Sequence, residues 1–558
     1  MEEKIKEVSL KSIDIISKIE RKEDIEELKE RKNKKISKTS KFKSKIAYFF
    51  KDKYNIAFII ILLLAFLIRL KYIGQESIWN DAAVHLWYSI KLIKEPLFLF
   101  SQEFLMGDYA TVQTIVAFFY IFTKDAFLAG KIVAMLYFLI GVIFMYLLGK
   151  ELHSKLSGLI AVALLSFNHI FWFYSVRPLA DSPLLVTTIV LLYFMVKLEK
   201  ERKMLWGILS GLMFLTAMFT KVQSTLFVFA LIIYYLVFKK SKMVKDKPIL
   251  ISWIIPVGFI LLAHILGKLL FNAAVLDRLF GLFLTTRGMS YGFEALGMLQ
   301  WIFTWYLIPF IVIGILLMIV YKKKIFYFSF ILLIFYWIFF EINVDNTQDR
   351  YMLPLLSMGV IFAAFAIEEI SSYISLLSRK KFLKLIFVTI ITVFICWNFY
   401  TVGDSLVYNK SFSYIGHSEA GEWLKNNVQE ETPVFAGSPR MVRAFFETDF
   451  GGPGFYGGPG YWDHGGDLWN LRAEKYLDNK SAFEEDLTLL LQENDIYLEI
   501  DIWEYTQPSW YFPISQESID YFLSLGFELV YVVERELSTQ QGMQNMPVIF
   551  IFKKEQET

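Results

Sequence analysis

A carboxylate and an imidazole stand close together among aromatic residues in the segment Trp79–Trp87, as Asp81 and His85. The segment follows the first long apolar run, so both side chains are expected at the mouth of a membrane span. An ionisable group costs about 2.5–3.5 kcal/mol at the centre of a span and less near its ends. Asp81 and His85 are therefore candidates for chemistry on a substrate at the lipid–water boundary.

Other ionisable residues fall at the ends of later apolar runs, in loops expected on the same side of the membrane. Cations there can bind a phosphate, arginine through a bidentate fork and lysine as a point charge, while a carboxylate deprotonates a hydroxyl or amine. Two alternatives that involve no catalytic or binding role remain open. In one, Asp181 pairs with Arg177 four residues earlier; in the other, Lys221 and Arg350 are snorkelling cations. The catalytic candidates are Asp81, His85 and Asp181, and the substrate-binding candidates are Glu103, Asp108, Arg177, Lys221, Arg287, Asp349, Arg350 and Tyr351.

Composition identifies the elements that must position these side chains. The chain has 558 residues, of which 55% are hydrophobic and 18% aromatic, with a mean hydropathy of +0.44. A soluble domain is about 45–50% apolar, and runs of about 18 apolar residues can cross a membrane. The sequence therefore predicts an α-helical polytopic membrane protein, and no nucleic-acid partner is expected.

Apolar run length predicts about eleven membrane helices. Loops rich in lysine and arginine follow alternate runs, at 197–203, 239–247, 322–324 and 379–381, as the positive-inside rule requires of cytoplasmic loops. The N-terminus is therefore expected in the cytoplasm of a multi-pass cell-membrane protein, with Asp81 and everything after residue 402 outside. The predicted spans are 54–72, 127–149, 157–174, 183–197, 205–220, 224–238, 248–270, 298–320, 325–342, 351–370 and 385–402.

Three regions follow from this map. Residues 1–53 form a charged cytosolic segment, residues 54–403 the transmembrane domain and residues 404–558 an extracytoplasmic soluble α/β domain with alternating helix-like and strand-like segments. The last region contains a glycine-rich loop at 451–466, which lacks the Lys-Ser/Thr of a P-loop. Cys396 is the only cysteine, so an intramolecular disulfide and a cysteine-based metal site are excluded.

These motifs together resemble the GT-C glycosyltransferases that use polyprenyl-phosphate sugars, in particular the protein mannosyltransferase and aminoarabinose transferase group (glycosyltransferase family 39). Asp81 and His85 match the Asp and the aromatic-or-His positions of the first outer loop, the run 130–181 ends in a matching Arg and Asp, and Arg350-Tyr351-Met352-Leu353-Pro354 matches an Arg-Tyr-x-x-Pro element. The resemblance implies a GT-C fold and sugar transfer from a polyprenyl (dolichyl or undecaprenyl) phosphate to a protein, lipid or glycan.

The resemblance also implies roles. Asp81 would be the base, Arg350 and other outer cations would face the phosphate, and Asp181 would shape the pocket. Ala82 departs from the pattern, because the group usually has a Glu there. Three possibilities then remain: a second carboxylate comes from Glu103 or Asp108, catalysis runs with one carboxylate, or activity is lost.

Two alternatives remain at this stage. Oligosaccharyltransferases use an outer-loop Asp with later acids to hold a divalent metal, and Tyr461-Trp462-Asp463-His464-Gly465 loosely resembles their WWDYG signature. In the main interpretation no cofactor is expected, and a divalent metal belongs to this alternative alone. A transporter or binding relative for a lipid-linked sugar would also carry polar groups at the outer ends of its spans, together with helices broken at mid-membrane.

Overall fold

The computed structural model describes residues 50–74, 79–96, 110–240, 242–271, 294–321, 327–343, 348–429, 432–438, 442, 468–471, 474–503, 507–539 and 542–556. Three of the predicted site residues, Glu103, Asp108 and Arg287, lie outside the described residues. The glycine-rich loop and nearly all of the predicted cytosolic segment lie outside them as well.

Most of the described chain is helical, and seven of its helices are long and apolar enough to cross a membrane. A bent pair of helices, which meet at 64°, adds an eighth span if the two are taken together. The seven are Lys53–Leu70, Ala126–Leu152, Asp181–Glu201, Lys247–Phe271, Glu294–Val320, Asp349–Leu377 and Lys381–Ser411, and the bent pair is Lys155–Phe167 with His169–Ser175.

Shorter helices complete the membrane region. Each of the eleven predicted spans overlaps a helix, so the predicted α-helical polytopic fold is confirmed; one apolar helix, Ala110–Thr123, was not predicted. The shorter elements are Asn80–Lys94, Ala110–Thr123, Met204–Thr220, the 3₁₀ turn Val222–Ser224, Thr225–Tyr234 with its π-helical continuation Tyr235–Lys239, Lys242–Lys245 and Tyr327–Asn343.

Asn168 accounts for the break in the bent pair. Its side-chain oxygen accepts hydrogen bonds from the backbone N–H of Ile170 and Phe171, which caps a new helix at this point. Its side-chain N–H₂ donates to the carbonyl of Ile302 at 2.8 Å, which ties the break to the helix Glu294–Val320. The second half of the pair ends at Ser175, so the chain turns here before the helix Asp181–Glu201 begins.

The helix Asp349–Leu377 lies at the centre of the membrane region. It packs against the helices Glu294–Val320, Lys381–Ser411 and Asp181–Glu201, and its apolar residues from Met352 to Ile367 are all buried. Its contact with Glu294–Val320 requires Gly314, because a Cβ there would lie 2.1 Å from the carbonyl oxygen of Phe362. Close packing of this kind fixes how the two helices are placed along each other. It therefore also fixes the position of the residues at the start of Asp349–Leu377.

The C-terminal region contains a five-stranded sheet in the order β2-β1-β3-β5-β4. β1 pairs in parallel with β2 and β3, whereas β5 pairs antiparallel with β3 and β4. The strands are β1 Val434–Ala436, β2 Leu468–Asn470, β3 Ile496–Asp501, β4 Glu528–Thr539 and β5 Gly542–Lys554, and the helices are His417–Asn427, Glu474–Leu477, Lys480–Leu490 and Gln516–Ser524.

Hydrophobic clusters cover both faces of this sheet. One contains Leu498 and Ile500 of β3 with Phe483 and Phe522, and the other contains Tyr497 with Ala420 of the helix His417–Asn427. Because successive side chains of a strand point to opposite faces, Glu499 and Asp501 share the face of Tyr497. The predicted α/β region is therefore present, although the last membrane helix continues past the predicted boundary at 404 to Ser411.

Candidate active site

Asp81 lies in the first turn of the helix Asn80–Lys94, where the N-terminal end of the macrodipole favours a carboxylate. Arg350, the second residue of the helix Asp349–Leu377, donates a hydrogen bond from Nη1 to Oδ2 of Asp81. The Asp81 side chain is 45% exposed and that of Arg350 is 20% exposed. Two residues 269 positions apart therefore form an ion pair that solvent and a ligand can reach.

A second ion pair joins Asp181 and Lys221. Asp181 begins the helix Asp181–Glu201, and Lys221 directly follows the helix Met204–Thr220, with its ammonium donating to Oδ1 of Asp181. These side chains are only 4% and 5% exposed. A buried charge without a partner is costly, so the pair must stay intact or be replaced by a ligand of matching charge.

The two pairs line one cavity of about 240 Å³. Its walls also include His85, Gln223 and Tyr351. Tyr351 lies against both cations, with the Lys221 ammonium 5.1 Å and the Arg350 guanidinium 5.4 Å from its ring centre. Two carboxylates and two cations thus meet in one cavity, an arrangement in which an entering anion can exchange for a carboxylate.

His85 lies one helical turn after Asp81 and is 3% exposed. Burial lowers the pKa of His85 to about 4, against the opposing effect of the Asp81 and Asp181 carboxylates. The imidazole is therefore neutral at pH 7, and the cavity's positive charge comes from Lys221 and Arg350.

Two predicted site residues, Arg177 and Asp349, are not among the cavity's lining residues. Arg177 stacks on Phe173 at 3.6 Å and on Trp79 at 4.8 Å. Asp349 accepts hydrogen bonds from the hydroxyl of Tyr174 at 2.8 Å and from the indole of Trp301 at 3.3 Å. Both residues hold neighbouring segments in place. Gln223, by contrast, lines the cavity but was not predicted as a site residue. Its only signal in the sequence is its closeness to Lys221.

Ala82 is 1% exposed and does not line the cavity. A side chain at position 82 therefore points into the packed protein, whereas Asp81 faces the cavity. The second carboxylate of the described cavity is that of Asp181, which the sequence assigned to shaping the pocket.

Comparison with known proteins agrees with this architecture. Residues 111–271 match the family described as dolichyl-phosphate-mannose-protein mannosyltransferase. No curated protein matches the sequence.

Solved structures share the fold at low sequence identity. ArnT from Cupriavidus metallidurans bound to undecaprenyl phosphate has a TM-score of 0.59 at 10% identity, over 88% of this chain and 97% of that one. The oligosaccharyltransferase of Archaeoglobus fulgidus in complex with Zn and sulfate has a TM-score of 0.54 at 11% identity, over 88% and 73% of the two chains. AglB from the same organism, in complex with an inhibitory peptide and a dolichol-phosphate, has a TM-score of 0.51 at 12% identity, over 88% and 74%.

The shared fold is that of the GT-C glycosyltransferases, and the chain has multiple helices long and apolar enough to span a membrane. The predicted resemblance to these glycosyltransferases is thereby confirmed, and the predicted enzyme class agrees with the family match over residues 111–271.

Proposed function

We propose that this protein transfers a sugar from a polyprenyl-phosphate carrier to a hydroxyl or amine of a protein, lipid or glycan on the outer face of the membrane. The observation that carries the proposal is the cavity, in which the pairs Asp81–Arg350 and Asp181–Lys221 lie together at the ends of four different helices. The description of the matched family and the lipid phosphates bound to ArnT and AglB support the choice of donor.

The exposed ion pair of Asp81 and Arg350 suggests how binding of the donor activates the catalytic base. The entering donor is a phosphodiester with one negative charge, which competes with Asp81 for the guanidinium of Arg350 and can bind the two N–H groups of the fork bidentately. Asp81 is then released from its partner and can accept a proton. Phosphate binding and activation of the base are therefore one event in this mechanism.

The transfer step follows from these roles. The acceptor's oxygen or nitrogen forms a bond to the anomeric carbon, and its proton passes to the Asp81 carboxylate. The bond between the anomeric carbon and the phosphate oxygen breaks, so polyprenyl phosphate leaves with one more negative charge. Arg350 and Lys221 stabilise that developing charge, which is where preorganised electrostatics contribute most.

Asp81→Asn tests the proposal. In proteoliposomes given radiolabelled mannosyl- or aminoarabinosyl-phosphoryl polyprenol and membrane extract as acceptor, we expect a loss of transfer of about 10²–10⁴-fold, the usual contribution of a general base. The matched control is Asp404→Asn, which removes a carboxylate from another partly exposed ion pair, with Lys71 at 2.8 Å, outside the cavity. Equal activity of the Asp81 and Asp404 variants would remove Asp81 from the mechanism.

Two outcomes would favour the alternatives. Loss of transfer on chelation, restored by a divalent cation, would favour metal-dependent chemistry of the oligosaccharyltransferase type. Movement of the lipid-linked sugar across the bilayer without transfer to an acceptor would favour a transporter.

A further inference from the structure

A second cluster of ionisable side chains lies in the C-terminal sheet region, far along the chain from the residues of the cavity. His417 begins the helix His417–Asn427, and Glu499 and Asp501 lie on one face of β3, the face that this helix covers. All three side chains are fully buried. Charged residues in such a position are paired or bind a metal, because an isolated buried charge is very unfavourable.

The orientation of His417 is that of a metal ligand. Its Nδ1 lies 3.0 Å from the carbonyl oxygen of Tyr414, and because a carbonyl can only accept, Nδ1 carries the proton. Nε2 faces the carboxylates of Asp501 at 3.5 Å and Glu499 at 4.0 Å. Metal-bound histidines almost always donate their other ring N–H in this way, often to a backbone carbonyl.

The separation of His417 and Asp501 matches that around a small tetrahedral ion, and the separations from Glu499 are somewhat wider. Zn²⁺ binds histidine nitrogen and carboxylate oxygen at about 2.0–2.2 Å, so neighbouring ligand atoms in a tetrahedron are about 3.3–3.6 Å apart. Here one ligand atom from each of the three residues lies within 4.8 Å of the others. Among the described residues, this is the one group of three or more such side chains that meets this distance.

Glu499 gives an independent indication of a missing partner. It is fully buried, and although the backbone N–H groups of Gly437 and Ser438 lie near its carboxylate, neither oxygen accepts a hydrogen bond of normal geometry from the described residues. Nε2 of His417 lies 3.5 Å from the Asp501 carboxylate, at the long limit of a hydrogen bond. Native proteins rarely leave buried polar atoms unsatisfied, and an unplaced ion is one standard explanation.

Further oxygen donors lie nearby. Gly437, whose N–H donates to the backbone oxygen of Glu499 at 3.0 Å, precedes the buried Ser438. The side chain of Gln507 packs directly over Gly437, and both of its amide atoms lack a hydrogen-bond partner among the described residues. A water or one of these side chains is therefore available as a fourth ligand.

We propose that His417, Glu499 and Asp501 bind one Zn²⁺ ion, which fastens the helix His417–Asn427 to β3. Because that helix follows the last membrane helix after only a short turn, the ion would secure the start of the C-terminal region. Three protein donors of nitrogen and oxygen type suit zinc, and no sulfur ligand is required. The site is separate from the cavity at Asp81. A result that overturns the zinc proposal would therefore leave the proposed transfer activity untouched.

The alternative is that bound protons, rather than a metal ion, compensate the buried charges of this cluster. Burial alone would lower the pKa of His417, yet the carboxylates of Asp501 and Glu499 raise it, and burial raises the pKa of Glu499. A cluster held together by protons would contain an imidazolium, a carboxylate and a neutral carboxylic acid. The experiment must distinguish these two states.

The full-length protein in detergent micelles is loaded with Zn²⁺, passed through gel filtration and analysed for metal by mass spectrometry. We expect about one zinc per chain in the original protein. The zinc content of the double variant Glu499→Gln/Asp501→Asn should be below about a tenth of that value, whereas His153→Ala should retain the full zinc content. His153 is the matched control, since it pairs with the carboxylate of Glu369 at 2.9 Å away from the cluster. Retention in Asp81→Asn excludes the cavity as the source of the metal.

A second variant keeps the test informative if the double variant folds poorly. His417→Cys replaces the nitrogen ligand with a thiolate, so Co²⁺ loading should produce a near-ultraviolet thiolate-to-cobalt charge-transfer band. The original protein, whose only cysteine is Cys396 within a membrane helix, should lack that band. Zinc content near zero in the loaded original protein, unchanged content in the double variant, or absence of the band would overturn the proposal.

Discussion

The buried pair of the cavity allows the sharpest energetic prediction. Replacing Lys221 with Met removes the ammonium but keeps most of the side-chain volume. Asp181 is then left as a carboxylate that is 4% exposed and without its cation. Breaking a buried pair costs about 3–5 kcal/mol, and because Asp181 retains the favourable N-terminal end of its own helix, we expect the low end, about 3 kcal/mol.

The double variant Lys221→Met/Asp181→Asn separates the charge effect from the packing effect. Neutralising both partners removes the unpaired charge, and replacing both members of a buried pair is often nearly neutral. We therefore expect the double variant to recover most of the loss, which gives a coupling energy of about 2 kcal/mol in a double-mutant cycle. The same substitution in the exposed pair, Arg350→Met, should cost about 1 kcal/mol or less.

The measurement is the free energy of unfolding in mixed detergent micelles, followed by circular dichroism as denaturant is added. Lys221→Met, Asp181→Asn, the double variant and Arg350→Met are compared with the original protein at one pH and one micelle composition. A Lys221→Met variant as stable as the original, or a double variant as unstable as the single one, would refute the assignment of this pair as a structural element of the cavity.

Three further predictions concern the same cavity. Arg350→Gln should raise the KM for the lipid-linked donor by roughly 10–100-fold in steady-state assays, because a hydrogen bond to a charged group contributes about 1.5–3 kcal/mol, whereas an unchanged KM would exclude it from phosphate binding. His85, with a pKa of about 4 in the folded protein against about 6.5 when unfolded, takes up its proton more readily in the unfolded state. Folding stability should therefore fall as pH drops below 6.5 and level off near 4, by on the order of 3 kcal/mol, and His85→Gln should remove this part of the pH profile of unfolding. Ala82→Glu should destabilise the protein without raising transfer, since position 82 is buried away from the cavity, whereas Ala82→Ser should be tolerated; higher activity in the Glu variant would contradict this.

The sequence identified the membrane helices well because a span leaves a direct signal, a run of apolar residues as long as the bilayer is thick. The helix Ala110–Thr123 was not predicted because its 14 residues are fewer than those of the shortest predicted spans, 183–197 and 224–238. The residues of the cavity were found through their position at span ends, which brought Asp81, Asp181 and Arg350 into one list although they are far apart in the chain.

The partners within the cavity were less predictable. The spacing of Arg177 and Asp181 suggested a pair on one helix, yet a helix ends at Ser175 and the next begins at Asp181. The i,i+4 rule applies only within a continuous helix, and Asp181 pairs instead with Lys221 on another element. The cluster of His417, Glu499 and Asp501 left no motif either, since only sheet formation brings its members together.

The last membrane helix has a mechanical consequence. Lys381–Ser411 has 31 residues, which at 1.5 Å per residue is about 46 Å, well beyond a hydrocarbon layer of about 30 Å. Its far end is held to the residues that follow the helix Lys53–Leu70, because Asp404 accepts from Lys71 at 2.8 Å and from Tyr72 at 3.1 Å. Helices adjust to bilayer thickness by tilting, and a rod of this length converts a small change of tilt into a large displacement of its tip. A thinner or thicker lipid bilayer would thus shift the C-terminal region relative to the mouth of the cavity, coupling lipid composition to access by the acceptor.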